Sequence, residues 1–434
     1  MTELNKLTSN SPAGRLKFRL PGIRALRVPL SILPKPTTPF SSTLLLVYSF
    51  AGLILLGTFL LIFPFSSASG SFTSPLTALF TSTSAVCVTG LVVVDTVTYW
   101  STFGHAVIFG LFQIGGLGFI IGATLMLFAI GGRFGLRDRL LISESMGVNQ
   151  LSGIFGLVGK VALFVFIAEL IGTLVFYFRW TATGVAGASW WTAVFHAASA
   201  FNNCGLDLFG NFQSLAAFWN DPITLLVTAL LIIIGSTGYF VIADILKNRK
   251  FNKLALDSKI VIFTSLALII GGTLFYLIFE FGGPSTLGPL SFPQKILGAF
   301  FQSVTVRTAG FSSFDTGSLS QLAIFFTIFL MFVGGTTGST AGGVKVNTFG
   351  TLVITVINMI RGRENISAFG RQINKQIVYR AMTLAMSYLA TAGLIVILLT
   401  ITENFPIDKL IFETFSALGT VGQTTGITPY LSIG

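Results

Sequence analysis

The chain has 434 residues, of which 53% are hydrophobic, 44 are Phe and only 9% are charged. Several apolar stretches exceed the ~20 residues that are needed to cross a bilayer core. This composition excludes a soluble globular protein and predicts an all-α polytopic membrane protein.

The net charge of +11 is concentrated in alternate loops. Twenty-two of the 26 Lys and Arg residues lie in residues 1–41, 133–160, 247–259 and 345–380. The positive-inside rule therefore predicts a multi-pass protein of the cell membrane with a cytoplasmic N-terminus. A nucleic-acid partner is disfavoured, because no basic segment is interleaved with aromatic residues on a soluble module. The remaining loops hold four basic and eight acidic residues, and this balance predicts a negative outer vestibule that concentrates cations.

The predicted elements begin with a basic, Pro-rich tail over residues 1–41, which lacks the apolar core and cleavage site of a signal peptide. Apolar spans then follow in chain order at about residues 43–63, 104–130, 154–178, 225–246, 260–281, 321–357 and 377–401.

One short pattern occurs four times between these spans, each time with a Phe ten residues ahead of a Gly. The four glycines are Gly90, Gly205, Gly310 and Gly422, which are 115, 105 and 112 residues apart. Each copy lies on an amphipathic stretch that is too short to cross the membrane. The pattern predicts a unit of span, re-entrant half-helix, extended loop and span. Four such units can surround one axis, and their predicted bounds are residues 42–132, 133–246, 247–360 and 361–434.

The repeated glycines predict a cation filter built from backbone carbonyls. Irregular backbone is tolerated in a membrane only where protein shields it or where it lines a watery cavity. Gly permits positive φ, so consecutive carbonyls can face a common axis and replace water around a dehydrated cation. The C-termini of the half-helices would add partial negative charge. The alternative is that these glycines only allow close helix packing. The candidate filter residues are Val86, Cys87, Val88, Thr89, Gly90, Phe201, Asn202, Asn203, Cys204, Gly205, Val306, Thr308, Ala309, Gly310, Leu418, Gly419, Thr420, Val421 and Gly422.

Two ionisable residues within the apolar part of the chain need an explanation. Arg307 would repel cations if it faced the axis, and we predict that it braces the filter from behind through hydrogen bonds to carbonyls or a carboxylate. Glu169 lies within the third span, where it is either a ligand of a coupling ion or a carboxyl that is neutralised or paired between helices. His105 and His196 lack partners at metal-ligand spacing, so no metal site is predicted.

The chain resembles the Trk/Ktr/HKT superfamily of K+ transporters, and within it the membrane subunits of Ktr systems. The resemblance covers nearly the whole chain and is carried by SAVCVTGL at residues 84–91, HAASAFNNCGLDLFG at 196–210, VRTAGFSSFDT at 306–316 and GGTTGSTAGGVK at 334–345. It implies four M1-P-M2 units around one pore, with selectivity set at the four glycines. Four glycines at these positions favour K+ over Na+.

The resemblance also implies a gate in the third M2 segment, below the filter. Five glycines in ten residues cannot hold a stable helix, and broken helices in membranes line binding sites and gates. The candidate gate residues are Gly334, Gly335, Thr336, Thr337, Gly338, Ser339, Thr340, Ala341, Gly342, Gly343 and Lys345. The alternative is a Gly kink that only lets helices pack, as Gly115, Gly116, Gly235 and Gly238 could do.

The partners that the resemblance implies are a second copy in a homodimer and a cytosolic ring of KtrA-type regulatory subunits that bind ATP or ADP. This chain itself is expected to bind no cofactor, and K+ or Na+ enters only as a transported or coupling ion. A Na+-permeable member of the superfamily is the nearest alternative function. A membrane enzyme is the alternative class, but the sequence has no His-Glu-x-x-His, Gly-x-Ser-Gly or Walker motif. Channel-like conduction and Na+-coupled symport both remain open.

The sequence departs from the resembling family at its end. Only twelve residues follow Gly422, so the last M2 helix of the fourth unit is missing. A truncated product, a helix supplied by a partner and loss of the family role are the three explanations, of which truncation is favoured.

Overall fold

The computed structural model describes residues 42–118, 154–185, 187–363 and 365–432. Residues Tyr48–Gly434 form one compact unit, and of residues Met1–Val47 only the start of the first helix is described. The helices in chain order are α1 (Ser42–Ile62), α2 (Pro75–Val86), α3 (Thr96–Tyr99), α4 (Thr102–Leu117), α5 (Ile154–Thr183), α6 (Trp190–Phe201), α7 (Pro222–Thr237), α8 (Tyr239–Asn248), α9 (Leu256–Phe279), α10 (Phe292–Thr305), α11 (Gln321–Phe332), α12 (Val346–Ile360), α13 (Lys375–Thr402) and α14 (Ile407–Leu418).

Three of the described helices, α5, α9 and α13, are long and apolar enough to cross a membrane. The apolar segments that qualify contain 25, 24 and 28 residues. Many of their large side chains are exposed, including Phe263, Leu274 and Leu394. Exposed apolar side chains on long helices fit a hydrocarbon solvent better than water.

A sharp bend divides the predicted apolar span at residues 225–246, at one of the glycines that the sequence marked as a possible kink. Helices α7 and α8 meet at 93° across Gly238. Gly238 has φ 83° and ψ 140°, which glycine adopts readily and which ends the helix. A Cβ atom at this position would lie 3.2 Å from the carbonyl oxygen of Thr337. The bend therefore makes room for the segment around residue 337.

Four helices end just before the repeated glycines and are called the short helices below. They are α2, α6, α10 and α14, and they contain 12, 12, 14 and 12 residues. Their starts are specified locally: Pro75 occupies the first turn of α2, Ser189 caps α6, and Ser291 forms a capping box with Gln294 at α10. Each is too short to cross a bilayer.

The short helices pack against the preceding long ones through hydroxyl groups as well as apolar side chains. Ser82 of α2 donates to the Ile54 carbonyl of α1 at 2.7 Å, and Ser303 of α10 donates to the Ile269 carbonyl of α9 at 2.9 Å. Small hydroxyl residues let membrane helices approach closely. These contacts fix where each short helix ends.

A two-stranded hairpin, β1 (Ser367–Ala368) and β2 (Arg371–Gln372), is a small departure from the all-α prediction. It follows α12, and Asn358 of that helix donates to the Ser367 carbonyl at 3.0 Å. The rest of the described chain is helix, short 3-10 turns and irregular loop.

Candidate ion pathway

Each short helix runs into a five-residue ring segment that ends at one of the four repeated glycines. The ring segments are residues 86–90, 201–205, 306–310 and 418–422. In every copy the residue two positions before the glycine also has positive φ. These residues are Val88, Asn203, Thr308 and Thr420, with φ of 55°, 57°, 79° and 50°.

The sequence predicted positive φ only at the glycines, where φ is 83°, 73°, 78° and 90° in chain order. Left-handed backbone costs a residue with a Cβ atom roughly 1–2 kcal/mol, so its occurrence at four equivalent positions is informative. Two residues with positive φ flank a single residue in each segment. They impose the same backbone course on all four segments despite their different side chains.

The four glycines form a closed ring. A Cβ atom built on Gly90 would lie 3.4 Å from the Cα of Gly205, and one on Gly205 would lie 3.3 Å from the Cα of Gly310. A Cβ atom on Gly310 would lie 3.0 Å from the Cα of Gly422, and one on Gly422 would lie 3.1 Å from the Cα of Gly90. Each such Cβ would collide with a backbone carbonyl oxygen of the next segment; the four oxygens belong to Thr89, Cys204, Ala309 and Val421. Only glycine allows this approach.

Buried hydroxyls hold the ring segments in shape. Ser84, Thr305 and Ser416 donate to the carbonyl that follows the ring glycine, namely those of Leu91, Phe311 and Gln423, at 2.7, 2.8 and 2.5 Å. These bonds join the last turn of a short helix to the chain beyond its glycine. Sequence reasoning missed them, although a hydroxyl five or six residues before each glycine was a readable signal.

An acidic cavity of about 630 Å³ opens on one side of the ring. All four ring glycines line it, together with Asp95, Asp207 and Asp315. No Lys or Arg lines this cavity in the part of the chain that the structure describes. The cavity is therefore an electronegative approach to the ring, as the charge count predicted.

Of the eight acids that the sequence placed on the outer side, the other five lie elsewhere. Asp221 pairs with Arg179 at 3.1 Å, while Glu280, Glu403 and Glu413 accept hydrogen bonds from nearby hydroxyls and backbone N–H groups. Asp408 lies in the first turn of α14. These carboxylates thus organise loops and helix starts. The three in the cavity accept backbone N–H bonds as well, and they differ from the other five in lining the approach to the ring.

The pKa of Asp207 is raised to about 6. Desolvation is the largest cause; the N–H of Phe209 opposes it by donating a hydrogen bond to the carboxylate, and the negative charge of Asp95 adds to it. Asp207 lies in the loop after Gly205 and lines the acidic cavity. The charge of this cavity consequently changes just below neutral pH.

The Gly-rich loop, residues 334–343, lies on the other side of the ring. The sequence predicted that this loop is not helical, and the structure agrees. Its Thr340 donates to the Phe201 carbonyl at 3.2 Å and accepts from the Asn203 side chain at 3.3 Å. A Cβ atom on its Gly342 would collide with the Thr420 side chain, and one on its Gly334 would lie 3.1 Å from Cγ2 of Thr308. The loop therefore contacts the second, third and fourth ring segments.

The ends of the loop are tied together. The Gly334 N–H donates to the Val344 carbonyl at 2.9 Å, and Val333 and Val344 form a parallel bridge. Lys345 donates from Nζ to the Ala341 carbonyl at 2.5 Å. Lys345 thus contacts the loop directly.

Arg307 is 3% exposed and lies in the third ring segment. Its side chain makes no hydrogen bond to a carbonyl or carboxylate of the described residues, and its buried Nε has no partner there. The bracing hydrogen bonds that the sequence predicted are thus not found in the described part of the chain.

The partners of Glu169 could not be identified from the sequence. Gln113 of α4 donates from Nε2 to both carboxylate oxygens, at 2.9 and 2.8 Å. Asn202, in the second ring segment, donates to the same carboxylate at 3.1 Å and to Gln113 Oε1 at 2.7 Å. Glu169 is therefore paired between helices, the second of the two alternatives that the sequence left open.

The matching family model, described as TrkH: Cation transport protein, covers residues 39–434. Ktr system potassium uptake protein B of Bacillus subtilis (strain 168) is 39% identical over 91% of this chain and 87% of its own length. Potassium/sodium uptake protein NtpJ of Enterococcus hirae is also 39% identical, over 90% of this chain and 86% of its own. The crystal structure of the potassium transporter TrkH from Vibrio parahaemolyticus superposes with a TM-score of 0.66 over 90% of this chain and 78% of that one, at 18% identity, and so shows a shared fold. The chain belongs to the TrkH family of cation transport proteins, and it is a membrane transporter, not an enzyme.

Proposed function

We propose that the chain is the ion-translocating membrane subunit of a K+ uptake system. The observation that carries the proposal is the closed ring of Gly90, Gly205, Gly310 and Gly422. Four chain segments far apart in sequence meet there with equivalent backbone conformations. A ring of this kind presents backbone carbonyls to an ion that passes through it.

The ring selects cations by exchanging water for carbonyl oxygens. The carbonyls that precede the glycines, such as that of Thr89, are packed against the neighbouring segment, and buried hydroxyls bond the carbonyls that follow the glycines, so the segments are preorganised. The short helices end at the ring, which adds their C-terminal partial charge. The acidic cavity supplies cations from one side. The four ring segments act as the filter of four M1-P-M2 units.

The Gly-rich loop is the gate of this pathway. It contacts three of the four ring segments on the face opposite the acidic cavity, so an ion leaving the ring meets the loop. The glycines give the loop alternative backbone conformations at low steric cost. Lys345 holds the base of the loop while its centre moves.

A Na+-permeable transporter is the second candidate, and a specific finding favours keeping it. The relative NtpJ is named as a potassium/sodium uptake protein at the same 39% identity as the potassium uptake protein of Bacillus subtilis. Backbone carbonyls alone do not dictate which monovalent cation is preferred. The two candidates therefore differ in the relative potency with which Na+ and K+ inhibit rubidium uptake.

The relatives' names place them in multi-component uptake systems. We propose that this chain likewise works as a homodimer on a cytosolic ring of KtrA-type subunits that carry the nucleotide. The N-terminus and the basic loops then face the cytoplasm.

The test is rubidium uptake by cells that lack their own K+ transporters and express this chain with a KtrA-type subunit. Competition by K+ and by Na+ is measured at equal concentrations. Inhibition by K+ but not by Na+ supports a K+ transporter, and equal inhibition supports the Na+-permeable alternative. Absence of uptake, with the assembled complex present in the membrane, would overturn both.

A further inference from the structure

Glu169 lies within α5, next to the second ring segment, and an ionisable side chain is expensive to keep in a membrane span. We propose that the Glu169 carboxylate and Gln113 form a positioning pair that sets ion selectivity by fixing Asn202, and hence the second ring segment. This inference rests on the proposed function of the ring. It assigns Glu169 no direct contact with the transported ion.

Both oxygens of the carboxylate accept hydrogen bonds. Both of its oxygens accept from Gln113 Nε2, at 2.9 and 2.8 Å, and Oε1 also accepts from Asn202 at 3.1 Å. Gln113 in turn accepts from Asn202 at 2.7 Å through Oε1. The three side chains come from α4, α5 and the end of α6, so the cluster joins three elements at one point.

Asn202 is the residue through which this cluster reaches the ring. It caps the C-terminus of α6 and lies three positions before Gly205. Its side-chain amide donates to Gln113, to Glu169 and to the Ala198 carbonyl. A Cβ atom on Gly116 of α4 would collide with this side chain, so Asn202 packs directly against the backbone of α4.

The opposite side of the same segment is held by the Gly-rich loop. Thr340 bonds Phe201 and Asn203, the two residues that flank Asn202. One face of the second ring segment is thus attached to a loop that moves, and the other to helices α4 and α5. The cluster keeps the segment in its selective shape when the loop contacts are released.

A carboxylate suits this task better than an amide. Hydrogen bonds to a charged acceptor are shorter and about twice as strong as neutral ones. A carboxylate also only accepts, so it dictates that both Gln113 and Asn202 point their N–H groups toward it. An amide at position 169 would present a second donor to Gln113 and allow alternative arrangements.

The experiment compares Glu169→Gln, Gln113→Glu and the double variant that carries both changes. The readout is the ratio of the Na+ to the K+ concentration that halves rubidium uptake. We expect each single variant to lower this ratio at least fivefold. The double variant exchanges the two partners but keeps an acceptor at position 113 for Asn202, so we expect it to restore the ratio to within twofold of the unchanged protein.

Thr340→Val is the matched control on the other side of the segment. It removes hydrogen bonds to Phe201 and Asn203 but leaves the Glu169 cluster intact, so it should change the maximal uptake rate and leave the ratio unchanged. Membrane abundance and thermal stability in detergent are measured for every variant. If Glu169→Gln does not reach the membrane, Asn202→Ala removes the bonds that join the cluster to the ring segment and leaves the Gln113–Glu169 bonds in place, and the readout is the same ratio.

The outcomes separate the two proposals. A wild-type ratio near one counts against the proposed K+ selectivity itself. A high wild-type ratio that Glu169→Gln and Asn202→Ala leave unchanged overturns this inference alone. A lowered ratio that the double variant fails to restore, in a stable protein, also overturns it.

Discussion

The hydroxyl of Thr340 donates a 3.2 Å hydrogen bond to the carbonyl oxygen of Phe201, and this bond joins the Gly-rich loop to the second ring segment. The same hydroxyl accepts from Asn203 at 3.3 Å. The backbone N–H groups of Thr336 and Thr340 also donate to the carbonyls of Ser236 and Gly235. Among the described residues, Thr340 is the one loop side chain that is hydrogen-bonded to the ring.

Replacing Thr340 by Val should raise rubidium uptake. The substitution keeps the shape of the side chain and removes two neutral hydrogen bonds, each with a net value of about 0.5–1.5 kcal/mol. Losing both favours the displaced loop by about 1–3 kcal/mol, or roughly five- to a hundredfold in its population. Initial uptake rates at saturating rubidium measure the effect.

Thr337→Val is the matched control for this prediction. Thr337 lies in the same loop, but its exposed hydroxyl bonds only the side chain of Asn347, at 3.1 Å. This variant should transport at the original rate. Equal rates for Thr340→Val and the unchanged protein would show that the Thr340 contacts do not restrain the gate.

Replacing Gly205 by Ala should abolish selective uptake. The new Cβ would lie 2.5 Å from the Ala309 carbonyl oxygen, and the residue would have to keep φ of 73°. Left-handed backbone alone costs roughly 1–2 kcal/mol, and the collision must in addition push the third ring segment aside. Rubidium uptake with K+ and Na+ competition measures the loss of selectivity.

Gly426→Ala separates strain from collision. Gly426 also has positive φ, 89°, and lines the acidic cavity, but a Cβ atom there meets nothing within 4 Å. This variant should lose some stability and keep its K+ preference. If Gly426→Ala lost selectivity as fully as Gly205→Ala, backbone strain and not the closed ring would explain the result.

The sequence predicted the parts of the site that repeat. The offset from each Phe to its Gly marked the four ring segments, and the five glycines between residues 334 and 343 marked the broken helix. Both signals are local, because a position that combines positive φ with close backbone approach accepts only glycine. The charge of the outer loops likewise predicted the acidic cavity.

The parts that could not be predicted depend on long-range packing. Gln113 and Glu169 are 56 residues apart, and nothing in either neighbourhood specifies their pairing. The left-handed conformation of Asn203 is imposed by the segment that surrounds it, since an Asn in isolation adopts several backbone conformations. The sequence marked Gly238 as a possible kink, but the 93° angle between α7 and α8 depends on the loop packed against it, which the apolar run at residues 225–246 does not specify.

Uptake from dilute rubidium should fall as the pH is lowered through about 6. The pKa of Asp207 is raised to about 6, so its carboxylate is charged at pH 7.5 and mostly neutral at pH 5. Its protonation leaves the acidic cavity with Asp95 and Asp315, and a weaker field concentrates fewer cations. The rubidium concentration for half-maximal uptake, measured from pH 5 to 7.5, reports the change.

Two variants check the source of this pH dependence. The Asp207→Asn variant should have a higher rubidium concentration for half-maximal uptake at pH 7.5, and this concentration should change little with pH near 6. Asp315→Asn removes a charge from the same cavity but leaves Asp207 to titrate, so its response near pH 6 should persist. If the pH dependence near 6 persists in the Asp207→Asn variant, another titratable group is responsible for it.

The stability of α7 should depend on Asp221 in two separable ways. The carboxylate caps the helix by accepting from the Ile223 N–H at 3.2 Å, and it pairs with Arg179 at 3.1 Å. Loss of an N-cap costs about 0.5–2 kcal/mol, while a partly exposed ion pair contributes about 0–1 kcal/mol. Asp221→Ala should therefore destabilise the protein more than Asp221→Asn, which keeps an acceptor for the cap. The temperature at which half of the detergent-solubilised protein loses its monodisperse peak measures the stability of both variants.

Arg179→Gln removes only the ion pair and should match Asp221→Asn. If Asp221→Asn were as damaging as Asp221→Ala, the charge pair and not the cap would hold this end of the helix.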